Sequence, residues 1–254
     1  MSTLRHRLHS AGSATYQTLL GGGGGGLIAR FAALGTLRAL WHPSYGITLN
    51  GSGVAAWRDL VAGYVLAQAT PGAQPACNAT GWNGSPCLEF AGAQYMACAH
   101  ADWDTFFGGD DTDVVLAAAI DADASTAVLY PVALNTGGTS WIAYVTDATN
   151  RDTYIRTATF INAADGATGK RHVAVQSVGT AATIFRNGAD VKAATLNAGS
   201  LTLTEATIGT RTGAGGVPSN TYFIGTMGIV AFYSTVSDHA ALSALMTACG
   251  YGPD

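Results

Sequence analysis

Cleaving a glycosidic bond needs two carboxylates flanking it, one protonated and one ionised. The chain of 254 residues contains two glutamates, Glu89 and Glu205, and neither stands in a Glu-x-Asp-x-Glu run. An aspartate pair is the alternative that stays open. Serine chemistry has no Gly-x-Ser-x-Gly elbow to work from. His6, His9, His42, His100, His172 and His239 are scattered, and a strand histidine such as His172 reads as structural. Cys77, Cys87, Cys98 and Cys249 show neither CxxC nor zinc spacing with histidine. Cys77 and Cys87 could close a short loop, but free, partly buried thiols suit a domain this large, which needs no staple. No catalytic residue and no cofactor are expected.

Binding chemistry has more to work with. Asp102-Trp103-Asp104 and Gly109-Asp110-Asp111-Thr112-Asp113 alternate acids with turn residues, as an oxygen cage for calcium would. The competing reading is a solvated turn with Asp113 leading into a strand at Val114, so Asp110, Asp111 and Asp113 are metal candidates while no essential metal is expected. Gly21–Gly26 lacks the Lys-Ser or Lys-Thr of a phosphate loop. Sugar binding needs rings beside polar groups at loop tips. Trp82, Tyr95, Trp103 and Tyr222 are the candidates, while Trp57 and Trp141 read as core.

Charge narrows the partners. Charged residues make up 11% of the chain, against about 25% in ordinary soluble domains. A net charge of −4 argues against a general nucleic-acid binder. Arg5, Arg7, Arg30 and Arg38 precede the first acid, Asp59, and seven acids fall between Asp102 and Asp123. A basic arm on an acidic body reads either as a docking element or as a solvated tail. Glycines 21–26 (Gly21, Gly22, Gly23, Gly24, Gly25, Gly26) would permit close backbone approach to a partner. The N-terminus has no continuous apolar stretch, so neither a signal peptide nor a membrane span is expected.

These residues must be positioned by the elements that follow. Leu27, Ile28, Phe31, Leu34, Leu37 and Leu40 recur at helical spacing and predict a helix over 27–41. Beyond Trp41 the texture turns to short apolar runs split by turn residues. Strands are predicted at Cys87–Phe90, Gln94–Ala97, Val114–Ile120, Ala127–Leu134, Ser140–Thr146, Asp152–Phe160, His172–Val178, Ala182–Arg186, Thr202–Ile208 and Phe223–Tyr233. Asn187-Gly188 predicts a hairpin, because both residues tolerate positive φ. Ser237 as N-cap and Leu242, Leu245 and Met246 on one face predict a short C-terminal helix. About ten strands at even spacing mean an antiparallel sandwich or barrel.

The order of several pieces carries a resemblance. Leu40-Trp41, Gly46–Gly51, Val54–Asp59 and Gln68-Ala69-Thr70 open it, and Asn83–Phe90 follows. Lys170–Val175, Ile184–Gly188, Ala206–Gly209 and Phe223–Val230 close it. Together they resemble the concanavalin A-like (laminin-G-like) jelly-roll domains of bacterial and phage proteins, over about residues 38–251. The resemblance implies an all-β, two-sheet antiparallel sandwich over 38–254, behind an N-terminal arm and short helix over 1–37. Where that family often has Phe-Asp-Gly-x-Asp, this chain has Phe90-Ala91-Gly92-Ala93-Gln94, so a metal at that turn loses its carboxylates. With the arm and the missing catalytic acids, the resemblance implies a non-enzymatic bacteriophage virion component: a capsid decoration, head-fibre or tail-fibre protein. Its partners would be other virion proteins, copies of itself and host-surface glycans. The alternative is a carbohydrate-binding or adhesion module of a bacterial surface protein, and a glycoside hydrolase comes third.

Overall fold

The computed structural model describes residues 25–108, 113–122, 129–135, 141–146, 152–156, 159–163, 169–195, 201–212 and 221–254. Strands are numbered in chain order. Antiparallel pairing gathers them into two layers. The first runs β5 (Ala76–Trp82), β6 (Ser85–Ala91), β17 (Ile224–Val236), β8 (Val114–Ala122), β13 (Gly169–Val178), β14 (Ala181–Arg186) and β15 (Ala189–Thr195). In it β1 (Gly35–Trp41) lies end to end with β6 along one edge of β17. The second runs β2 (Ile47–Asn50), β3 (Gly53–Arg58), β4 (Val65–Ala67), β7 (Met96–Ala99), β16 (Glu205–Ile208), β9 (Leu129–Asn135), β10 (Trp141–Thr146), β11 (Asp152–Arg156) and β12 (Thr159–Asn162). Among the described residues a single pairing, Gly53 with Ala76, joins the layers.

The apolar pattern explains the stacking. Alternate residues of β8, namely Val114, Leu116, Ala118 and Ile120, enter the core between the layers with Trp41, Trp57, Val132, Leu134, Val175 and Phe232. The residues between them, Val115, Ala117 and Ala119, face a second cluster. That cluster is closed by α1 (Gly25–Ala32) through Leu27 and Phe31, and by α3 (His239–Met246) through Leu242, Leu245 and Met246. The first layer is therefore covered on both faces. A third helix, α2 (Asp102–Phe107), sends Trp103 and Phe107 into the main core, with Asp102 and Asp104 in its first turn where the helix dipole favours acids.

Several sequence expectations change here. The predicted helix over 27–41 stops at Ala32, and Gly35–Trp41 is a strand paired with β17. A Cβ at Gly35 would lie 1.9 Å from the Thr235 carbonyl, so only glycine allows that approach. The boundary expected between residues 37 and 38 thus falls inside β1. The run 152–160 is a hairpin of two strands, and β7 starts two residues later than expected. Asp238, not Ser237, caps α3 by accepting the Ala241 amide, while the Ser237 hydroxyl donates to Leu34 O. Asn187-Gly188 makes the expected hairpin turn with φ of 51° and 84°. Asn83-Gly84, at 48° and 84°, repeats it between β5 and β6.

Candidate functional site

The outer face of the second layer carries the site. Arg58 pairs with Val65 across β3 and β4, and Ala67 with Ala97 across β4 and β7, which sets Val65 beside Ala99. Ala99 pairs with Glu205, and Glu205 with Asn135. Because antiparallel partners share a face, Arg58, Val65, Ala99, Glu205 and Asn135 form one row across five strands. Strands lie about 4.8 Å apart, so Arg58 and Glu205 stand roughly 14 Å from each other along it. Between them the floor is low and partly apolar: Val65 is 37% exposed and Ala99 is open to solvent.

A cleft of about 400 Å³ opens on this row, lined by Ala62, Gly63, Tyr64, Val65, Cys98, Ala99, His100 and Asp102. Its size is in the range of small-molecule sites. One wall is the turn from Asp59 to Tyr64. The buried Asp59 carboxylate holds it by accepting the amides of Val61 at 2.6 Å, Ala62 at 3.1 Å and Tyr64. The opposite wall is the entry to α2, where His100 Nδ1 accepts the Asp102 amide at 3.2 Å. That leaves the proton of a neutral ring on Nε2. Tyr64 ties the walls together: its hydroxyl donates to the Asp102 carboxylate, and its ring meets His100 edge-on at 5.0 Å. Burial, then the bond to Asp102, holds that phenol protonated well above its ordinary range. Trp103 backs the Tyr64 ring at 4.6 Å, its own indole N–H donating to Cys98 O at 2.9 Å.

Polar groups continue along the row. Glu205 accepts the Thr212 hydroxyl at 2.7 Å. Burial raises its carboxyl above the usual range, and that hydrogen bond opposes the shift. Asn135 is 1% exposed and donates to Thr207 Oγ1 at 2.9 Å, while its side-chain oxygen has no hydrogen-bond partner among the described residues.

The structure sorts the candidate residues. Trp82 and Trp103 are fully buried and cannot meet a ligand. Trp82 donates to Gly252 O at 3.1 Å, in the second cluster. Both indole N–H groups find carbonyls inside the fold, which is what lets rings so large be buried whole. Tyr95 and Tyr222 do come together, 6.3 Å apart and half-buried, but at the end of β7 away from the cleft. Of the docking residues, Arg5, Arg7 and Gly21–Gly24 lie outside the described residues, while Gly25 and Gly26 begin α1 and Arg30 is exposed on it. Arg38 is satisfied within the sandwich: it donates to Ser234 Oγ at 2.8 Å and lies 4.5 Å over the Phe106 ring. Asp110 and Asp111 lie outside the described residues, and Asp113 accepts the Gly179 amide at 3.3 Å. At the Ala91–Gln94 turn, Gln94 Oε1 accepts the amides of Ala91 and Ala93 at 2.7 and 3.1 Å, closing the turn by itself. Cys77, Cys87, Cys98 and Cys249 are free. Arg58, Asp59, Tyr64, Val65 and His100 were not singled out in sequence, because the three-residue β4 carries no readable alternation.

No protein-family model matches the chain, and no curated protein matches its sequence. Solved structures do match its shape. A sialidase of Trypanosoma rangeli, in complex with sialic acid, superposes at a TM-score of 0.60 with 14% identity, over 86% of this chain and 34% of that one. Domain 4 of a GH43 extracellular arabinanase from Geobacillus stearothermophilus, in complex with arabinotriose, superposes at 0.58 with 10% identity, over 83% of this chain and 98% of that domain. The chain is a lectin-like jelly-roll sandwich. This sandwich spans about a third of the sialidase and nearly the whole of the arabinanase domain. Identities this low establish the fold and no more.

Proposed function

We propose that the sandwich binds saccharides in the cleft on the outer face of its second layer, without hydrolysing them. The observation that carries this reading is the row itself. It sets the Glu205 carboxylate on the same face as an open cleft with an apolar floor and a Tyr64–His100 wall. Sugars present hydroxyl donors on an apolar ring, and acceptors beside ring and methyl surfaces match both. The arabinanase domain solved in complex with arabinotriose, whose shape this sandwich matches, supports the reading. Binding without hydrolysis is supported by the glutamates: Glu89 is on β6 in the first layer, held by Asn78 Nδ2 at 2.6 Å, and Glu205 is on β16 in the second. They do not flank a common bond.

Docking on a virion through residues 1–37 draws no such support, since Arg38 is engaged inside the sandwich and the basic tip lies outside the described residues. The saccharide reading is tested with Ala99→Trp, which fills the cleft from an exposed position. Wild type is expected to bind members of a glycan array, and the variant to lose that binding while its melting temperature holds. Unchanged glycan binding by Ala99→Trp would place the ligand elsewhere.

A further inference from the structure

We infer that the cleft selects saccharides carrying an anionic substituent, a carboxylate or a sulfate, and that Arg58 is the residue that reads it; this rests on the saccharide site proposed above. Arg58 ends the row at the cleft's rim, an exposed side chain whose guanidinium lies against one wall. It lies against Gly63, a cleft-lining glycine with φ of +84°. A Cβ there would come within 2.7 Å of Nη2, 3.2 Å of Nε and 3.3 Å of Cζ. The side chain thus lies along the turn that Asp59 braces, with its fork at the edge of the cleft. Among the described residues Lys170 and Asp254 form an ion pair, and Arg58 has no part in it. An exposed guanidinium outside any ion pair among the described residues matches the paired oxygens of a carboxylate or sulfate.

Of the acids, the buried Asp59 carboxylate is taken up by the amides of Val61, Ala62 and Tyr64. Glu205 is roughly 14 Å away along the row, beyond the screening length of about 8–10 Å at ordinary ionic strength. The Asp102 carboxylate accepts the Tyr64 hydroxyl. Glu205 is an acceptor for sugar hydroxyls away from the rim, so an acidic saccharide lying along the row puts its charge at Arg58 and its hydroxyls over Ala99 toward Glu205.

The test uses the full chain on an array of neutral, uronic-acid, sialic-acid and sulfated glycans. Calorimetry on the best acidic binder and its carboxyl-reduced or desulfated form follows. Wild type should favour the charged form. Arg58→Ala should weaken it about 10- to 100-fold, the range expected for a hydrogen bond to a charged group, a larger loss than for the neutral form. Arg58→Lys should fall between, having kept the charge and lost the fork. Carboxylate and sulfate arms tell the two sources of charge apart. Equal binding of charged and neutral forms, with Arg58→Ala silent and Ala99→Trp disruptive, overturns the anion preference and leaves the saccharide site standing. Binding of an acidic glycan that Arg58→Ala leaves intact also overturns it. Absence of any glycan binding by wild type overturns both.

Discussion

Burial of neutral histidine is a residue-scale feature with a measurable consequence. His42 is enclosed between Tyr45 and Tyr251, with its Nδ1 accepting the Ser44 amide at 3.1 Å, and burial lowers its pKa to about 3. His239, stacked on Phe185 at 3.6 Å, is lowered to about 4, again by burial. His172, held between Ser243 Oγ and Tyr251 O, is lowered for the same reason. Below the ordinary histidine value of 6.5, the unfolded chain binds protons that the folded chain does not. Stability is then fully present above that pH and falls as the solution is acidified, down to the folded values. The slope from each histidine is about 1.4 kcal/mol per pH unit within its window. Chemical denaturation between pH 7 and 5 should show this decline, and His42→Phe should flatten it by about one histidine's share. A slope unchanged in that variant would mean His42 is not buried neutral.

At the scale of elements, α1 and β1 belong to the sandwich and are not an appendage to it. Leu27 and Phe31 are fully buried against the first layer, and Tyr233 donates to Phe31 O at 3.2 Å. Phe31→Ala should destabilise the whole domain by about 3–5 kcal/mol, as a large-to-small change in a packed core does; a cost under about 1 kcal/mol in a urea melt would make α1 a detachable cover. This region was misread in sequence for a physical reason. In β1, Ala39 and Trp41 enter one cluster while Leu40 enters the other. A strand buried on both faces loses its alternation, and its leucines then imitate helical spacing. Where one residue type dictates the geometry, as at Asn187-Gly188, the sequence was legible. The antiparallel sandwich was legible as well, from evenly spaced runs and turns. The cleft was not, because its walls meet through β4, three residues long, and through a turn organised by one buried aspartate. The exposed edge strand β15 escaped notice for the opposite reason: it has almost no buried residues to form a pattern.

For the whole molecule, the two layers divide the labour. The first is closed by helices, and the second turns a face with an open cleft outward. No helix among the described residues is long and apolar enough to cross a membrane. The first layer depends on one strand for its continuity, since β17 pairs with β1, β6 and β8. A chain ending at residue 223 should therefore keep its local hairpins yet lack a cooperative melt and aggregate, which calorimetry and light scattering would report. A soluble, cooperatively melting fragment would show that the other strands close without β17. The placement of β17 also bears on biosynthesis. Its partners emerge from the ribosome 100 to 200 residues ahead of it, and until it follows they present bare edges and an uncovered apolar face. Folding is then a late, long-range event, slow by topology and exposed to aggregation while translation continues. The nascent chain is a natural client for chaperones that shield strand edges, and the interval they must cover is set by how far along the chain β17 lies.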